Sequence, residues 1–223
     1  MRVFQYKSKN VGDTLTEHII KHFLNCDVEL VNVDDKNKLV GVGSIVYAVK
    51  EGDIVFGTGL IEEVKTKLPP CEILALRGKL TAKLINSDCK VFGDPAILLP
   101  RMYNPDIPKK NKIGIVEHYV DKSLYKGKGH RINVKLNWKK FINEIKSCEK
   151  IISSSLHGCI IAEAYGIPTK WIKLSDKVIG GGFKFRDYLS ATDRTSFSQR
   201  LTKKKLSEQQ NKLIGVLKSK FKK

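Results

Sequence analysis

A chain of 223 residues can bury a full hydrophobic core as one domain or two small ones, and a hydrophobic share of 41% excludes a disordered polymer. Forty-one basic against 23 acidic residues give a net charge of +18, which predicts attraction to nucleic acid, phosphorylated metabolites or an anionic membrane without choosing among them. The five cysteines (Cys26, Cys71, Cys89, Cys148, Cys159) contain no CxxC pair and are odd in number, which speaks against a zinc site or a disulfide framework. No stretch approaches the roughly 20 apolar residues of a membrane span, and the start MRVFQYKSKN lacks an apolar signal core, so a reducing cytoplasm is the expected setting.

In chain order, a strand is expected near residues 3–6 and a helix over 14–24, with Thr14 and Glu17 as a capping box and Leu15, Ile19, Ile20 and Phe23 as its buried stripe. Further strands are expected at 28–33, 39–42, 54–56, 73–76 and 90–92, with a helix over 79–85. Residues 100–112, PRMYNPDIPKKNK, carry three prolines and no apolar period and read as a linker. Beyond it come strands at 113–116 and 132–134, a helix over 138–147, a strand at 150–153, a helix over 156–165 and a strand at 169–172. This is an α/β chain with parallel sheets, and two similar halves facing each other would leave a cleft.

The densest chemistry lies between residues 151 and 188. Ser153, Ser154 and Ser155 fall where a strand ends and a helix with Leu156, Ile160, Ile161 and Ala164 on one face begins. Free N–H groups and the positive end of the helix dipole favour a phosphate or carboxylate there. His157 stands in the first turn, beside whatever anion is held. Serines before a helix are also ordinary caps, and a lone histidine is usually a satisfied polar residue. Lys184 and Arg186, in a basic loop after Gly180-Gly181-Gly182, shift the balance toward an anion site.

Ligands of such sheets bind beyond the carboxyl ends of the strands. The residues there are Asn10, Gly12 and Asp13; Gly57, Thr58 and Gly59; Arg77; Glu117 and His118; and the serines with His157. Arg77, His118 and His157 would supply charge and protons, although Arg77 has an acid nearby in Glu72. Neither GxGxxG nor GxxxxGK[ST] occurs, so dinucleotide and Walker-type phosphate binding lack support.

Eight segments in order, NVGDTL (10–15), GVGSI (41–45), FGTGL (56–60), LALRG (74–78), FGDPAILLP (92–100), KIGIVEHYVD (112–121), ISSSLHG (152–158) and FKFRDYL (183–189), resemble the polysaccharide pyruvyl transferase family. The resemblance implies two facing Rossmann-like α/β/α domains, similar to the GT-B glycosyltransferase fold: residues 1–105 on the acceptor side, 106–200 on the donor side, and a basic helix over 201–223. It implies phosphoenolpyruvate as donor substrate, no cofactor and no metal, and a pyruvate ketal on a surface polysaccharide such as capsule or exopolysaccharide, or on its lipid-linked precursor. The matching histidine of the Leu-His pair, His157, is implicated in catalysis in that family, and an arginine matching Arg77 in donor binding.

Phosphoenolpyruvate carries a carboxylate and a phosphate on one small enol, and so demands several donors in one place. Arg77, the Ser153–Ser155 helix start and Lys184 are the expected clamp, with His118 and Arg186 beside it. His157 is the expected proton donor and acceptor, and Asp13 either activates the acceptor hydroxyl or merely stabilises its helix. Two departures stand out. Ser155 replaces an arginine found in some relatives, and Glu117 replaces a proline; a carboxylate there would raise the pKa of His118 or repel an anionic donor.

A nucleotide-sugar glycosyltransferase is the alternative, since the architecture hosts both chemistries and Glu163 offers a carboxylate for a nucleotide. No nucleic-acid partner is expected, with aromatics at 8% and no basic-aromatic reader motif. In the tail, Leu206, Leu213, Leu217 and Phe221 share one helical face. That stripe either packs across the domains or lies in the membrane interface with lysines on anionic headgroups, which would put the protein at the inner face of the cell membrane.

Overall fold

The computed structural model describes every residue except Lys7, Lys9 and Lys223, so the last position of the basic tail lies outside it. Two parallel sheets form the frame. Strands β1 (Arg2–Phe4), β2 (Glu29–Leu30), β3 (Leu39–Val40), β4 (Ile54–Phe56) and β5 (Glu72–Ala75) pair in the order β2-β1-β3-β4-β5. Strands β6 (Asn111–Val116), β7 (His130–Arg131), β8 (Cys148–Ser153) and β9 (Thr169–Trp171) pair in the order β7-β6-β8-β9. Seven α-helices accompany them among the described residues: α1 (Leu15–Leu24), α2 (Lys79–Leu84), α3 (Leu99–Met102), α4 (Trp138–Lys146), α5 (Leu156–Ala164), α6 (Phe183–Ser190) and α7 (Lys203–Phe221). Short 3-10 turns at Val11–Thr14, Val46–Ala48, Pro95–Leu98 and Tyr119–Asp121 complete the set.

The expected βα alternation and parallel pairing are present, for the reason the sequence suggested: short apolar strands covered by helices that each bury one stripe. In α1 that stripe is Leu15, Ile19 and Ile20. In α4 it is Phe141, Ile142 and Ile145, and the Asn137 side-chain oxygen Oδ1 caps the helix by accepting from Lys139 N at 3.1 Å. One apolar cluster runs through both sheets, joining Val3, Leu15 and Phe56 to Ile142, Ile151 and Ile160. The second sheet is therefore fixed to the first by packing as well as by the chain between them.

Several local expectations are corrected. Thr14 and Glu17 form no capping box: the Thr14 hydroxyl donates to Val11 O at 3.0 Å and Glu17 N donates to Gln5 Oε1 at 3.2 Å. Thr14 ends a 3-10 turn with ψ at 0°, which denies it the extended backbone of a cap. Residues 90–92 make only a single bridge, Leu76 to Phe92. The linker 100–112 begins as the end of α3 and is then tied down, with Lys109 Nζ donating to Lys146 O at 2.7 Å and Cys148 O at 2.6 Å. Its last residues already belong to β6. Helix α5 is buried along its whole length rather than on one face.

The basic loop expected around Lys184 is a helix. Gly180, Gly181 and Gly182 all take positive φ and turn the chain sharply into α6, which buries Phe183, Phe185, Tyr188 and Leu189. In the tail, Leu213 and Leu217 of α7 are fully buried against α1, β5 and the Pro95–Leu98 turn, while Lys203, Lys204, Lys205, Lys212 and Lys218 face outward. The apolar stripe is thus taken up by packing. No helix among the described residues is long and apolar enough to cross a membrane.

Candidate functional site

A pocket of about 230 Å³ opens beyond the strand ends of both sheets and collects six of the expected residues: Asn10, Asp13, His118, Ser155, His157 and Lys184. Three helical starts converge on it. Asn10 and Asp13 come from the Val11–Thr14 turn, Ser155 and His157 from the beginning of α5, and Lys184 from the first turn of α6. The first N–H groups of a helix have no intrahelical acceptor and its dipole is positive there, which favours an anion at such a wall. Ser44, Tyr6, Tyr47 and Tyr119 also line the pocket, with Ile45, Ile61, Leu156 and Ile179 as apolar wall.

His157 is held in a tight slot. A Cβ on Gly12 would lie 1.9 Å from His157 Nδ1, so only glycine there lets the imidazole lie against the first turn. On the other side, His157 Nε2 stands 3.7 Å from Asp94 Oδ2. That distance is an ionic contact but too long for a hydrogen bond, and neither buried atom has another partner. Asp94 is completely buried, and its second oxygen, Oδ1, caps the Pro95–Leu98 turn by accepting from Ala96 N at 2.9 Å. Within FGDPAILLP nothing local marks Asp94 for this place, because its partner lies 63 positions further along the chain.

The other expected residues lie behind this wall. Arg77 is fully buried and donates through Nε to Asp187 Oδ2 at 2.9 Å, through Nη1 to Ser44 Oγ at 2.6 Å and through Nη2 to Leu60 O. Its acid is Asp187, not Glu72, which pairs with Lys220 instead. Arg77 therefore reaches the pocket only through Ser44, whose hydroxyl proton is left free to point outward. Thr58 Oγ1 donates to Gly43 O at 2.8 Å and accepts from Ile45 N at 3.1 Å, which fixes the loop bearing Ser44 and Ile45. Gly57, at φ +78°, and Gly59 lie in the same buried layer; a Cβ on Gly59 would meet the Arg77 guanidinium at 2.7 Å.

Of the serine run, only Ser155 faces the pocket. Ser153 Oγ accepts from Ser155 N at 2.9 Å, and Ser154 Oγ accepts from His118 N at 2.9 Å, so these two hydroxyls fasten the turn. Arg186 is about half exposed and pairs with Glu63 at 3.1 Å, outside the pocket.

Positive groups crowd here. Burial, then the nearby charge of Arg77, lowers the Lys184 pKa to about 8, with Asp13 and Asp121 opposing the shift. Burial, then Lys184, lowers the His118 pKa to about 4, so the imidazole is neutral near pH 7; Asp121 opposes this shift and His157 adds to it. Glu117 does not raise that pKa as expected. Its carboxylate is turned away to accept from Ser123 N at 3.1 Å, Tyr125 N at 2.8 Å and Arg131 Nη1 at 2.7 Å. Glu163 is likewise taken up, in a buried pair with Arg194 at 2.5 Å that also accepts from Tyr188 OH at 3.0 Å. Among the described residues no group of three or more His, Cys, Asp or Glu is arranged to hold a metal ion.

The family model for polysaccharide pyruvyl transferase matches residues 10–176. The chain is also 30% identical over 208 residues to the uncharacterized protein L143 of Acanthamoeba polyphaga mimivirus, an alignment covering 82% of this chain and 71% of that one. The family match takes in Asn10, Asp13, Ser44, Asp94, His118, Ser155 and His157, and ends before Lys184. On that match, which runs from the first strand-end loop past the α5 histidine, the chain belongs to the polysaccharide pyruvyl transferase family.

Proposed function

We propose that the protein transfers a pyruvyl group from phosphoenolpyruvate to two hydroxyls of a sugar in a cell-surface glycan or its lipid-linked precursor, forming a ketal. The observation that carries this reading is a pocket of about 230 Å³ that brings the buried Lys184 together with His118, His157, Ser44 and Ser155, with Arg77 bonded behind Ser44. Burial disfavours the charge on Lys184 until an anion joins it, and a doubly anionic three-carbon ligand suits a space of about 230 Å³. In the full reading the two sheets belong to GT-B-like lobes over residues 1–105 and 106–200 with a basic helix over 201–223.

In the proposed reaction the donor's anionic groups lie on Lys184, Ser44, Ser155 and the first-turn N–H groups of α5. His157 delivers a proton to the methylene carbon, leaving C2 electron-poor. A sugar hydroxyl attacks C2 while Asp13 takes its proton, the bond from C2 to the phosphate oxygen breaks, and phosphate leaves. The second hydroxyl then attacks C2 and gives its proton to the now neutral His157, which closes the ketal and recharges the imidazole. Asp94 acts through His157, closing the 3.7 Å gap when the imidazole becomes charged. A positioned acid or base of this kind contributes roughly 10²- to 10⁴-fold.

Incubation with phosphoenolpyruvate and a panel of sugars tests the reading: phosphate release together with a pyruvate-sized mass gain on the sugar is expected, and release without a modified sugar refutes it. The outward lysines of α7 suit electrostatic contact with anionic headgroups at the cytoplasmic face of the membrane. Co-sedimentation with anionic liposomes that is unaffected by exchanging the outward Lys203, Lys204, Lys205, Lys212 and Lys218 for glutamine would end that part of the proposal.

A further inference from the structure

Beside the anion pocket lies a second cavity of about 710 Å³, with Phe4, Tyr6, Val33, Asp34, Asp35 and Tyr47 on its walls. Tyr6 and Tyr47 line both cavities, so the two adjoin at this pair of rings. The rings are 50% and 58% exposed, and Tyr47 is carried by a 3-10 turn whose flanking residues, Val46 and Ala48, are buried. A large aromatic face held open on a fixed backbone is unfavourable in water unless something covers it. Its size falls in the usual range for small-ligand sites, roughly 300–1,000 Å³.

The polar groups of this groove differ from those of its neighbour. In a chain of net charge +18, the only carboxylates or cations on its described walls are Asp34 and Asp35. Asp35 accepts from Arg2 Nη2 at 3.0 Å and from Asn32 N at 2.7 Å, while Asp34 is paired with Lys50 at 3.2 Å and its side chain is 85% exposed. A carboxylate has about four lone-pair sites, so both retain acceptor capacity for hydroxyl donors. Because each carboxylate is already met by a cation, the groove offers no free positive charge to hold a polyanion, while its lone pairs and two rings suit a hydroxyl-rich neutral ligand. The hydroxyl of Tyr47 is pushed up in pKa by burial first and then by Tyr6 and Asp13, which agrees with the close grouping of the three at the junction.

We infer that this groove is the acceptor subsite: it takes uncharged pyranose units of the glycan, stacking a sugar's C–H face on Tyr47 and Tyr6 and accepting hydroxyl protons at Asp34 and Asp35. The sugar at the junction then presents its hydroxyls to Asp13. The inference rests on the pyruvyl-transfer reading for the identity of the adjoining pocket.

The test is binding, measured separately for each ligand by calorimetry on the full chain. The probes are phosphoenolpyruvate, a panel of neutral hexasaccharides, and a heparin hexasaccharide. A neutral hexasaccharide is expected to bind better than heparin. Tyr47→Ala should weaken it about tenfold, the worth of one stacked ring, and Tyr47→Phe should restore it. Asp34→Ala, at a side chain that lines the groove but not the pocket, should weaken the sugar and leave phosphoenolpyruvate affinity as in the wild type. Tighter binding of heparin, no neutral hexasaccharide bound at millimolar concentration, or full affinity in Tyr47→Ala each overturns the inference. Wild-type protein that binds sugar but not phosphoenolpyruvate instead defeats the donor reading and leaves the groove standing.

Discussion

Two buried polar pairs lie close together in this molecule and are built to opposite standards. In the pair Arg77–Asp187 every arm is occupied: Asp187 also accepts from Thr81 N and Thr81 Oγ1, both at 2.8 Å, while Arg77 holds Ser44 and Leu60. In the pair His157–Asp94 the facing atoms are 3.7 Å apart and neither has a hydrogen bond. Buried polar groups are normally satisfied, so a complete network marks a brace and an incomplete one beside a cavity marks a group waiting for a ligand or a proton. The arginine expected to grip the donor is on this evidence a brace that reaches the pocket through one serine.

The contrast predicts different failures. The largest effect is expected at His157: His157→Ala should lower the rate of phosphate release by about 10²- to 10⁴-fold, with a melting temperature close to the wild type's. Next comes Arg77→Ala, which strands Asp187 in a dry interior. A loss of about 3–5 kcal/mol is expected, read as a fall in melting temperature of roughly 6–20 °C before any kinetic effect is considered. A normal melting curve with lost activity would return Arg77 to the donor clamp.

Asp94→Asn removes the charge behind His157 while keeping its shape, and should cost up to about 10²-fold in turnover with little change in donor affinity. Equal losses in both would make Asp94 a packing residue. A smaller effect follows from Lys184. Its pKa is lowered to about 8, and only the charged form attracts an anion, so donor affinity should be full below that pH and fall by up to about tenfold per unit as pH rises through it. Lys184→Arg should move the fall to higher pH, which calorimetry across pH 6–10 would read. The smallest effect is reserved for Arg186→Ala, at an exposed ion pair outside the pocket: donor affinity and melting temperature should both stay at wild-type values.

Much of the frame could be read from the sequence because parallel strands and one-sided helices announce themselves by apolar spacing, as residues 54–56 and 138–146 do. The neighbourhood of His157 was readable too, since a turn between strand and helix brings its hydroxyls and imidazole together locally. What escaped the reading depends on distant partners. The bond from Arg77 to Asp187 spans 110 positions, and nothing in FKFRDYL shows that its aspartate rather than its lysine or arginine anchors the segment. That segment looked like a loop because its charges hid the apolar Phe183, Phe185, Tyr188 and Leu189. Asp94 escaped for the same reason, as its neighbour His157 lies far along the chain. The capping box failed because a 3-10 turn before α1 altered the backbone at Thr14, a detail no residue pattern encodes.

Helix α7 has one further consequence. Its buried glutamines grip the chain on either side of Asp94, Gln209 Nε2 donating to Phe92 O at 3.0 Å and Gln210 Nε2 donating to Ile97 O at 2.7 Å. These two bonds span 117 and 113 positions, so the carboxylate behind the imidazole is held only by its own turn until α7 has been made and packed. The final placement of that acid therefore waits on a helix far along the chain.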